Sequence, residues 1–109
     1  MTHAADTDFS RSADWLRAAF DAALKAGQPS RITQSACQGI TPPTAGISLG
    51  KAAGAMADGA RAAGVTAPGI LITTDENHRQ IDGLECLAAS HPVPDSRGLQ
   101  AAGKVAALV

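Results

Sequence analysis

The sequence predicts an α/β layered domain with a largely parallel sheet. Along residues 44–109, short apolar segments that resemble strands alternate with helical segments, and this alternation favours parallel strands joined by helices. Glycine and proline residues mark most of the segment boundaries. The length of 109 residues suits one small domain or part of a larger one.

The N-terminal part is predicted to form one helix followed by a connector. About residues 10–27 carry apolar side chains at helical spacing, and Gly27 with Pro29 predicts where the helix ends. The spaced residues are Phe9, Ala13, Leu16, Phe20 and Leu24. Residues 30–43 are predicted to be a connector, because Gly39 and two consecutive prolines interrupt a weak helical spacing.

Residues 44–109 are predicted to form a βαβ-βα core. The clearest strand contains Ile70-Leu71-Ile72-Thr73, which is apolar and rich in β-branched residues. A polar stretch over residues 75–83 is predicted to be a loop with little functional weight. The predicted strands are 45–49, 69–74 and 84–89, and the predicted helices are 52–63 and the segment that follows Asp95.

Three polar segments are predicted to meet at the carboxyl ends of the strands, where open parallel sheets bind ligands. They are Gly50-Lys51, Thr73-Thr74-Asp75 and Ser90-His91. Gly50 before Lys51 at a strand-to-helix turn suits an anion, because glycine permits close approach and both the helix N-terminus and the ammonium attract negative charge. Neither a Walker A loop nor a G-x-G-x-x-G fingerprint is matched. Lys51 alone also fits a solvated lysine, and His91 fits a general acid or base, a ligand anchor or a loop hydrogen bond.

The segment from Ser90 to Gly98 is distinctive because two prolines bracket a single valine. Pro92 and Pro94 fix their own φ angles and direct the residues before them toward extended geometry. Asp95 lies where a helix N-cap belongs, and this role is favoured over that of a catalytic base. The helix beyond it has an apolar face without a predicted partner, at Leu99, Ala102, Ala106 and Val109.

Composition argues against several classes of function. The formal net charge of −1 provides no basic surface for nucleic acid. No apolar run is long enough to span a bilayer and the N-terminal residues lack a signal peptide's apolar core, so we expect no membrane partner and a cytoplasmic location. Cys37 and Cys86 lie far apart and belong to no cluster with metal-ligand spacing, which favours free thiols over a disulfide and predicts no metal site.

Four segments, taken in order, resemble the glycerate 2-kinase family, whose members carry a MOFRL region and some of which are labelled hydroxypyruvate reductases. The segments are Ser48-Leu49-Gly50-Lys51-Ala52-Ala53 with Met56-Ala57, then Gly69-Ile70-Leu71-Ile72-Thr73, then Gly83-Leu84-Glu85, and finally His91-Pro92-Val93-Pro94-Asp95 with Gly98. The resemblance covers about residues 14–109. It is specific because the lysine segment and the proline segment occur in register, whereas either one alone would be a weak signal.

The resemblance implies a Rossmann-like α/β domain joined to a second α/β domain, with the active site in the cleft between them. Members of the family are ATP-binding transferases that move the γ-phosphate of ATP to the 2-hydroxyl of D-glycerate with Mg²⁺. By resemblance, Lys51 is the catalytic lysine, whose charge stabilises phosphoryl or carboxylate oxygens. The resemblance makes Gly50, Lys51 and His91 substrate- or phosphate-binding residues, and it makes Pro92, Pro94, Asp95 and Gly98 a structural motif that shapes the cleft.

The chain departs from the family pattern at two places. Ser48 and Leu49 stand where the family has glycine and alanine, which adds bulk where the backbone approaches phosphate. The family continues past the equivalent of Val109 with a glycine- and serine-rich loop and the whole second domain. We therefore expect residues 1–109 to be an N-terminal fragment of a glycerate 2-kinase, incomplete at its C-terminus and inactive alone.

Two other interpretations stay open at this point. A hydroxypyruvate reductase of the same family predicts NAD(P)H oxidation with hydroxypyruvate, although the sequence shows no dinucleotide fingerprint. A non-catalytic remnant or interaction fragment would instead self-associate through the exposed apolar face of the last helix.

Overall fold

A computed structural model describes residues 3–109, with side chains from Thr7 onward. Within this range the chain combines helices with a parallel sheet, which confirms the predicted α/β class. The helices are α1 (His3–Ala26), α2 (Pro29–Ala36), α3 (Ala53–Ala62) and α4 (Ser96–Leu108). The strands are β1 (Gly46–Leu49), β2 (Gly69–Thr74) and β3 (Leu84–Ala89), and a 3-10 turn covers Asp75–Asn77.

The three strands all run parallel in the order β1-β2-β3, so their carboxyl ends lie at one edge of the sheet. β1 and β2 pair in register from Gly46 opposite Gly69 to Leu49 opposite Ile72. The pairing begins with a close approach, because a side chain at Gly69 would overlap the carbonyl group of Gly46. Glycine at residue 69 is therefore required for β1 and β2 to lie side by side.

Small and aliphatic side chains form the core between α3 and the sheet. Leu71 of β2 is fully buried there, against Ala53 and Ala57 of α3. Ile81, from the connection between β2 and β3, completes the cluster, so the segment predicted as a polar loop also supplies a core residue. Because alanines line α3, the helix approaches the sheet closely and the core needs no aromatic side chain.

The connector predicted over residues 30–43 is wrong in its first part, where the structure has α2. Pro29 lies in the first turn of this helix, a position that tolerates proline because the amide hydrogens there have no partner within the helix. α2 packs so closely on α3 that a side chain at Gly59 would overlap the carbonyl group of Ser30. The weak helical spacing thus belongs to a real helix, which ends before Gly39, a residue with a φ of 71°.

α1 is longer than predicted, because it begins at His3 rather than near residue 10. Its large apolar side chains are all more than half exposed in the described part of the chain. They are Phe9, Trp15, Leu16, Phe20 and Leu24. The helical spacing therefore predicts the helix correctly, but this face of α1 takes no part in the core.

α4 begins where Asp95 predicts it, and that residue is the N-cap. The helix packs on the sheet through Ala101, which is buried, and Val105 is partly buried on the same side. The predicted apolar face is exposed, with Leu99 at 78% and Val109 at 94% exposure. The structure thus separates a packed face of α4 from an exposed one.

Cys37 and Cys86 are both free, as predicted. The Sγ of Cys86 accepts a hydrogen bond from the amide of Ile81 at 3.3 Å. Among residues 3–109, no helix combines the length and the hydropathy that a bilayer crossing requires.

Candidate functional site

A cavity of about 280 Å³ opens at the carboxyl edge of the sheet. The end of each strand contributes one stretch of three residues to the lining: 49–51 from β1 onward, 72–74 within β2, and 89–91 from β3 onward. Gly50, Lys51 and His91, the residues predicted to bind substrate or phosphate, therefore lie around one cavity. The parallel topology explains this, because it places all three strand ends at the same edge.

The turn between β1 and α3 contains two amide groups without a backbone hydrogen-bond acceptor among the described residues. Gly50 has a φ of 109°, a left-handed conformation that favours glycine. Its N–H donates to the carbonyl of Ile72 at 3.0 Å and so continues the ladder with β2. The next two N–H groups, of Lys51 and Ala52, donate to no backbone acceptor among the described residues. They precede α3, a ten-residue helix whose N-terminal dipole attracts anions.

The two residues that depart from the family pattern face different surroundings. The hydroxyl of Ser48 donates to the carbonyl of Ala53 at 2.7 Å, and the serine does not line the cavity. Leu49 does line the cavity and is 68% exposed. The expected added bulk near the site is therefore supplied by the leucine rather than by the serine.

Two adjacent threonines at the end of β2 line the cavity. Thr73 is 4% exposed, and its hydroxyl has no hydrogen-bond partner among the described residues. The hydroxyl of Thr74 accepts a hydrogen bond from the Asn77 side chain at 2.7 Å. A buried hydroxyl without a partner is unfavourable, and Thr73 is the lining residue whose buried hydroxyl lacks an acceptor among the described residues. The sequence predicts these threonines at the strand ends but does not distinguish Thr73 as a binding group.

His91 follows β3 and lines the cavity from the side opposite the Lys51 turn. The His91–Pro92 peptide bond is cis. The imidazole is exposed and has no hydrogen-bond partner in the described part of the chain, which leaves it free to meet a ligand. Pro92 and Pro94 are also exposed and do not line the cavity, so they act only through the path of the loop.

Asp95 holds the loop as well as the start of α4. Its carboxylate accepts from the N–H of Gly98 at 3.3 Å, which is the predicted N-cap bond, and from the N–H of Ser90 at 3.4 Å. Its second oxygen accepts from Nε of Arg97 at 2.8 Å. These bonds hold the pKa of the Asp95 carboxyl below its ordinary value, and the bond from Arg97 has the largest effect. Asp95 is thus a structural anion with its oxygens engaged, as the cap assignment predicts.

Arg97 and Asp75 form an ion pair that the sequence motifs do not predict. The guanidinium donates through both terminal nitrogens to the two oxygens of Asp75, at 2.6 and 2.8 Å. Hydrogen bonding from Arg97 lowers the pKa of the Asp75 carboxyl, and the two carboxylates raise the pKa of Arg97. The sequence contains one signal for this ion pair: residues of opposite charge follow two neighbouring parallel strands. The connections after these strands leave the same edge of the sheet, so the two charges can meet.

The cavity has a positive character. Lys51 and His91 are its only titratable lining residues among those described, and no carboxylate lines it. The nearby carboxylates of Asp75 and Asp95 are both paired with Arg97. A small anion would therefore meet an ammonium, two unpaired backbone amides and a buried hydroxyl, a donor set that suits a carboxylate or a phosphate.

A second cavity, of about 170 Å³, lies between α2, β1 and α3 and has a mainly apolar lining. Its charged member, Arg61, donates to the backbone carbonyl of Asp82. This cavity lacks convergent polar groups, so the chemistry of the described residues points to the strand-end cavity instead.

The comparisons with known proteins identify a family. A family model described as a domain of unknown function, DUF4147, matches residues 15–109. This domain is the N-terminal domain of glycerate kinase-type proteins. Searches of curated proteins and of solved structures give no significant match. Because the matched range covers most of the 109 residues, the chain belongs to the DUF4147 domain family.

Proposed function

We propose that this domain is the N-terminal domain of a glycerate 2-kinase and binds the anionic groups of the reactants at the strand-end cavity. The observation that carries the proposal is the concentration of hydrogen-bond donors around a cavity without carboxylates among its described lining residues. Membership of the DUF4147 family supports it, because that domain occurs at the N-terminus of glycerate kinase-type proteins. A volume of about 280 Å³ also lies near the lower limit for small-molecule sites, which suits a three-carbon acid.

Each group has a distinct role in this proposal. Lys51 supplies the positive charge for a carboxylate or phosphoryl oxygen, while its own N–H and that of Ala52 donate to the same anion. Gly50 provides the turn that directs these donors toward the cavity. Thr73 donates its hydroxyl, and His91 contacts the ligand from the opposite side. Lys51 is the candidate catalytic residue, because charge develops on the phosphoryl oxygens during transfer.

The residues of this chain fit the phosphate groups of ATP but not Mg²⁺. ATP would supply the phosphoryl group for transfer, and the donors around Lys51 suit its oxygens. Mg²⁺ needs carboxylate oxygens beside the phosphates, yet Asp75 and Asp95 are both engaged by Arg97. No group of three or more His, Cys, Asp or Glu side chains that could hold a metal occurs among the side chains described from Thr7 onward. We therefore assign no step of the reaction to a metal held by these residues.

Ligand titration followed by amide NMR tests the proposal. D-Glycerate, inorganic phosphate and ATP are added separately to the 109-residue chain. We expect shifts concentrated at residues 50–52, 73 and 90–91 for glycerate or phosphate. In the variant Lys51→Gln, affinity is expected to fall by about tenfold or more, the typical effect of losing a hydrogen bond to a charged group.

Lys104→Gln is the matched control, because Lys104 is a half-exposed lysine paired with Glu85 and lies away from the cavity. Its affinity for each anion should equal that of the unsubstituted chain. Equal weakening by both substitutions would indicate nonspecific attraction and contradict the site. Shifts produced by NADPH and hydroxypyruvate, with none from glycerate or phosphate, would favour the reductase interpretation.

We further expect no ATP-dependent phosphorylation of D-glycerate by residues 1–109 alone, because the proposed kinase cleft requires a second domain. The measurement is formation of phosphoglycerate by the purified chain. Turnover that disappears in Lys51→Gln would contradict the two-domain requirement while supporting the role of the lysine.

A further inference from the structure

Arg97 connects two separate segments at the carboxyl edge of the sheet. Its terminal nitrogens bond both oxygens of Asp75, immediately after β2, and its Nε bonds Asp95, in the loop after β3. The three donor-acceptor distances lie between 2.6 and 2.8 Å. One planar side chain therefore bridges the connections that leave two neighbouring strands.

The bridge extends to the lining of the cavity through Asp95. The same carboxylate that accepts from Arg97 also accepts from the N–H of Ser90, which lines the cavity. Ser90 directly precedes His91, whose imidazole makes no hydrogen bond of its own among the described residues. The position of the His91 backbone is consequently set by the residues on either side of it, and Asp95 holds one of them through the N–H of Ser90.

We propose that Arg97 is a positioning residue for the strand-end cavity, tying the end of β2 to the loop over residues 90–95 and thereby fixing where His91 stands opposite Lys51. Arg97 does not line the cavity, so it acts through Asp95 and Ser90 rather than by touching a ligand. The identity of the ligand rests on the proposed function. The bridge from Asp75 through Arg97 and Asp95 to Ser90 does not depend on it.

The geometry requires arginine rather than any cation. A guanidinium offers a rigid fork to Asp75 and a third donor, on a different edge, to Asp95. A lysine ammonium is a single point charge and cannot span both carboxylates in this arrangement. The substitution Arg97→Lys would keep the net charge but lose the bridge, which separates the effect of position from the effect of charge.

Amide exchange measured by NMR tests the bridge without any ligand. In Arg97→Gln and Arg97→Lys we expect the N–H of Ser90 to exchange roughly two- to tenfold faster, as for the loss of one ordinary intramolecular hydrogen bond, and the His91 resonances to shift. The amide of Leu71, in the core, should exchange as in the unsubstituted chain. Lys104→Gln, which removes another ion pair of α4, should leave Ser90 and His91 unchanged.

Glycerate and phosphate titrations of the same variants test the consequence for the site. We expect Arg97→Lys to bind these ligands more weakly while the exchange rate of the Leu71 amide stays unchanged. A purely global loss of stability would instead change both the affinity and the Leu71 exchange rate. If Arg97→Gln does not fold, Asp75→Asn weakens the bridge from its other end and should also speed Ser90 exchange, to a smaller extent because Arg97 keeps its bond to Asp95. Unchanged Ser90 exchange in Arg97→Lys and Asp75→Asn would overturn the proposal. Absence of binding by the unsubstituted chain, with faster Ser90 exchange in the variants, would instead refute the proposed function alone.

Discussion

Arg97 satisfies two carboxylates with one side chain, and this arrangement changes the electrostatics around the cavity. Asp75 and Asp95 would otherwise place negative charge close to the Lys51 turn and repel an anionic ligand. The guanidinium bonds both carboxylates and offsets one of their two negative charges, so it reduces the negative charge beside the Lys51 turn. Arg97 would thus favour anion binding in two ways: it offsets carboxylate charge near the cavity, and it holds the loop over residues 90–95 in place.

The depressed pKa values of these carboxylates predict a defined pH dependence. A carboxyl whose pKa is lower in the folded state stabilises that state above its unfolded pKa, near 4. This stabilisation is lost as the pH falls through the lower, folded pKa. The hydrogen bonds from Arg97 are the main cause at both residues, and His78 contributes a weaker attraction to Asp75. We therefore expect the Ser90 amide to remain protected from pH 7 down to about pH 4 and to lose protection only below it.

Carboxyl carbon NMR titration measures this directly. In the unsubstituted chain, the pKa values of Asp75 and Asp95 should both lie below the ordinary aspartate value. Arg97→Gln should raise both toward that value, whereas Lys104→Gln should leave them unchanged. An Asp75 pKa that does not respond to the Arg97 substitution would show that the bridge is absent in solution.

Single residues differ in how far the sequence could predict them. Lys51 and His91 are predictable at the cavity because each follows a recognisable strand, and parallel topology brings the strand ends together. The unpartnered hydroxyl of Thr73 could not be predicted, since its burial depends on how closely α3 and the neighbouring strands pack around it. The Arg97 bridge depends on the direction of a long side chain, which sequence spacing does not determine.

Among the elements, close backbone contacts at glycine decide how strands and helices meet. A side chain at Gly69 would overlap the carbonyl group of Gly46 in β1, and one at Gly59 would overlap that of Ser30 in α2. Gly103, in α4, has open space around it. Glycine is therefore a packing requirement at the first two positions and an entropic cost at the third.

Substitution by alanine should separate these cases clearly. Gly69→Ala is expected to destabilise the fold by about 3 kcal/mol or more, because the strands must move apart to admit the methyl group. Gly103→Ala is expected to stabilise it by about 0.5–1 kcal/mol through helix propensity. Urea unfolding followed by circular dichroism measures both. Equal effects of the two substitutions would contradict the close pairing of β1 with β2.

Elements with strong sequence signals are predictable within one or two residues, including β2, β3 and the start of α4. α2 is not, because its eight residues contain few apolar positions and are followed by Gly39 and two prolines. Pro29 marks the end of α1, but proline is equally suited to the first turn of the next helix, so this signal is ambiguous. The predicted start of α1 is too late, since the residues before Phe9 are mostly polar or small and show no apolar periodicity.

At the scale of the whole molecule, apolar residues divide into a small packed core and a large exposed set. The core contains Leu71 with three smaller or branched aliphatic partners, while the aromatic residues of α1 lie outside it. Both groups look alike in the sequence, because helical spacing shows that a face is apolar and not what covers it. Large exposed apolar surfaces of this kind mark interaction sites. Self-association through the exposed faces of α1 and α4 therefore stays a prediction.

The same substitution at two leucines tests this division. Leu71→Ala should destabilise the fold by about 2–5 kcal/mol, because it leaves a cavity beneath α3. Leu16→Ala should change stability by about 0.5 kcal/mol or less, since that side chain is 67% exposed. Thermal unfolding at low concentration measures both, and sedimentation velocity over a concentration series measures association. If Leu16→Ala destabilises the chain only at concentrations where it associates, the α1 face is covered by another copy; a large, concentration-independent loss would mean that α1 packs on its own domain.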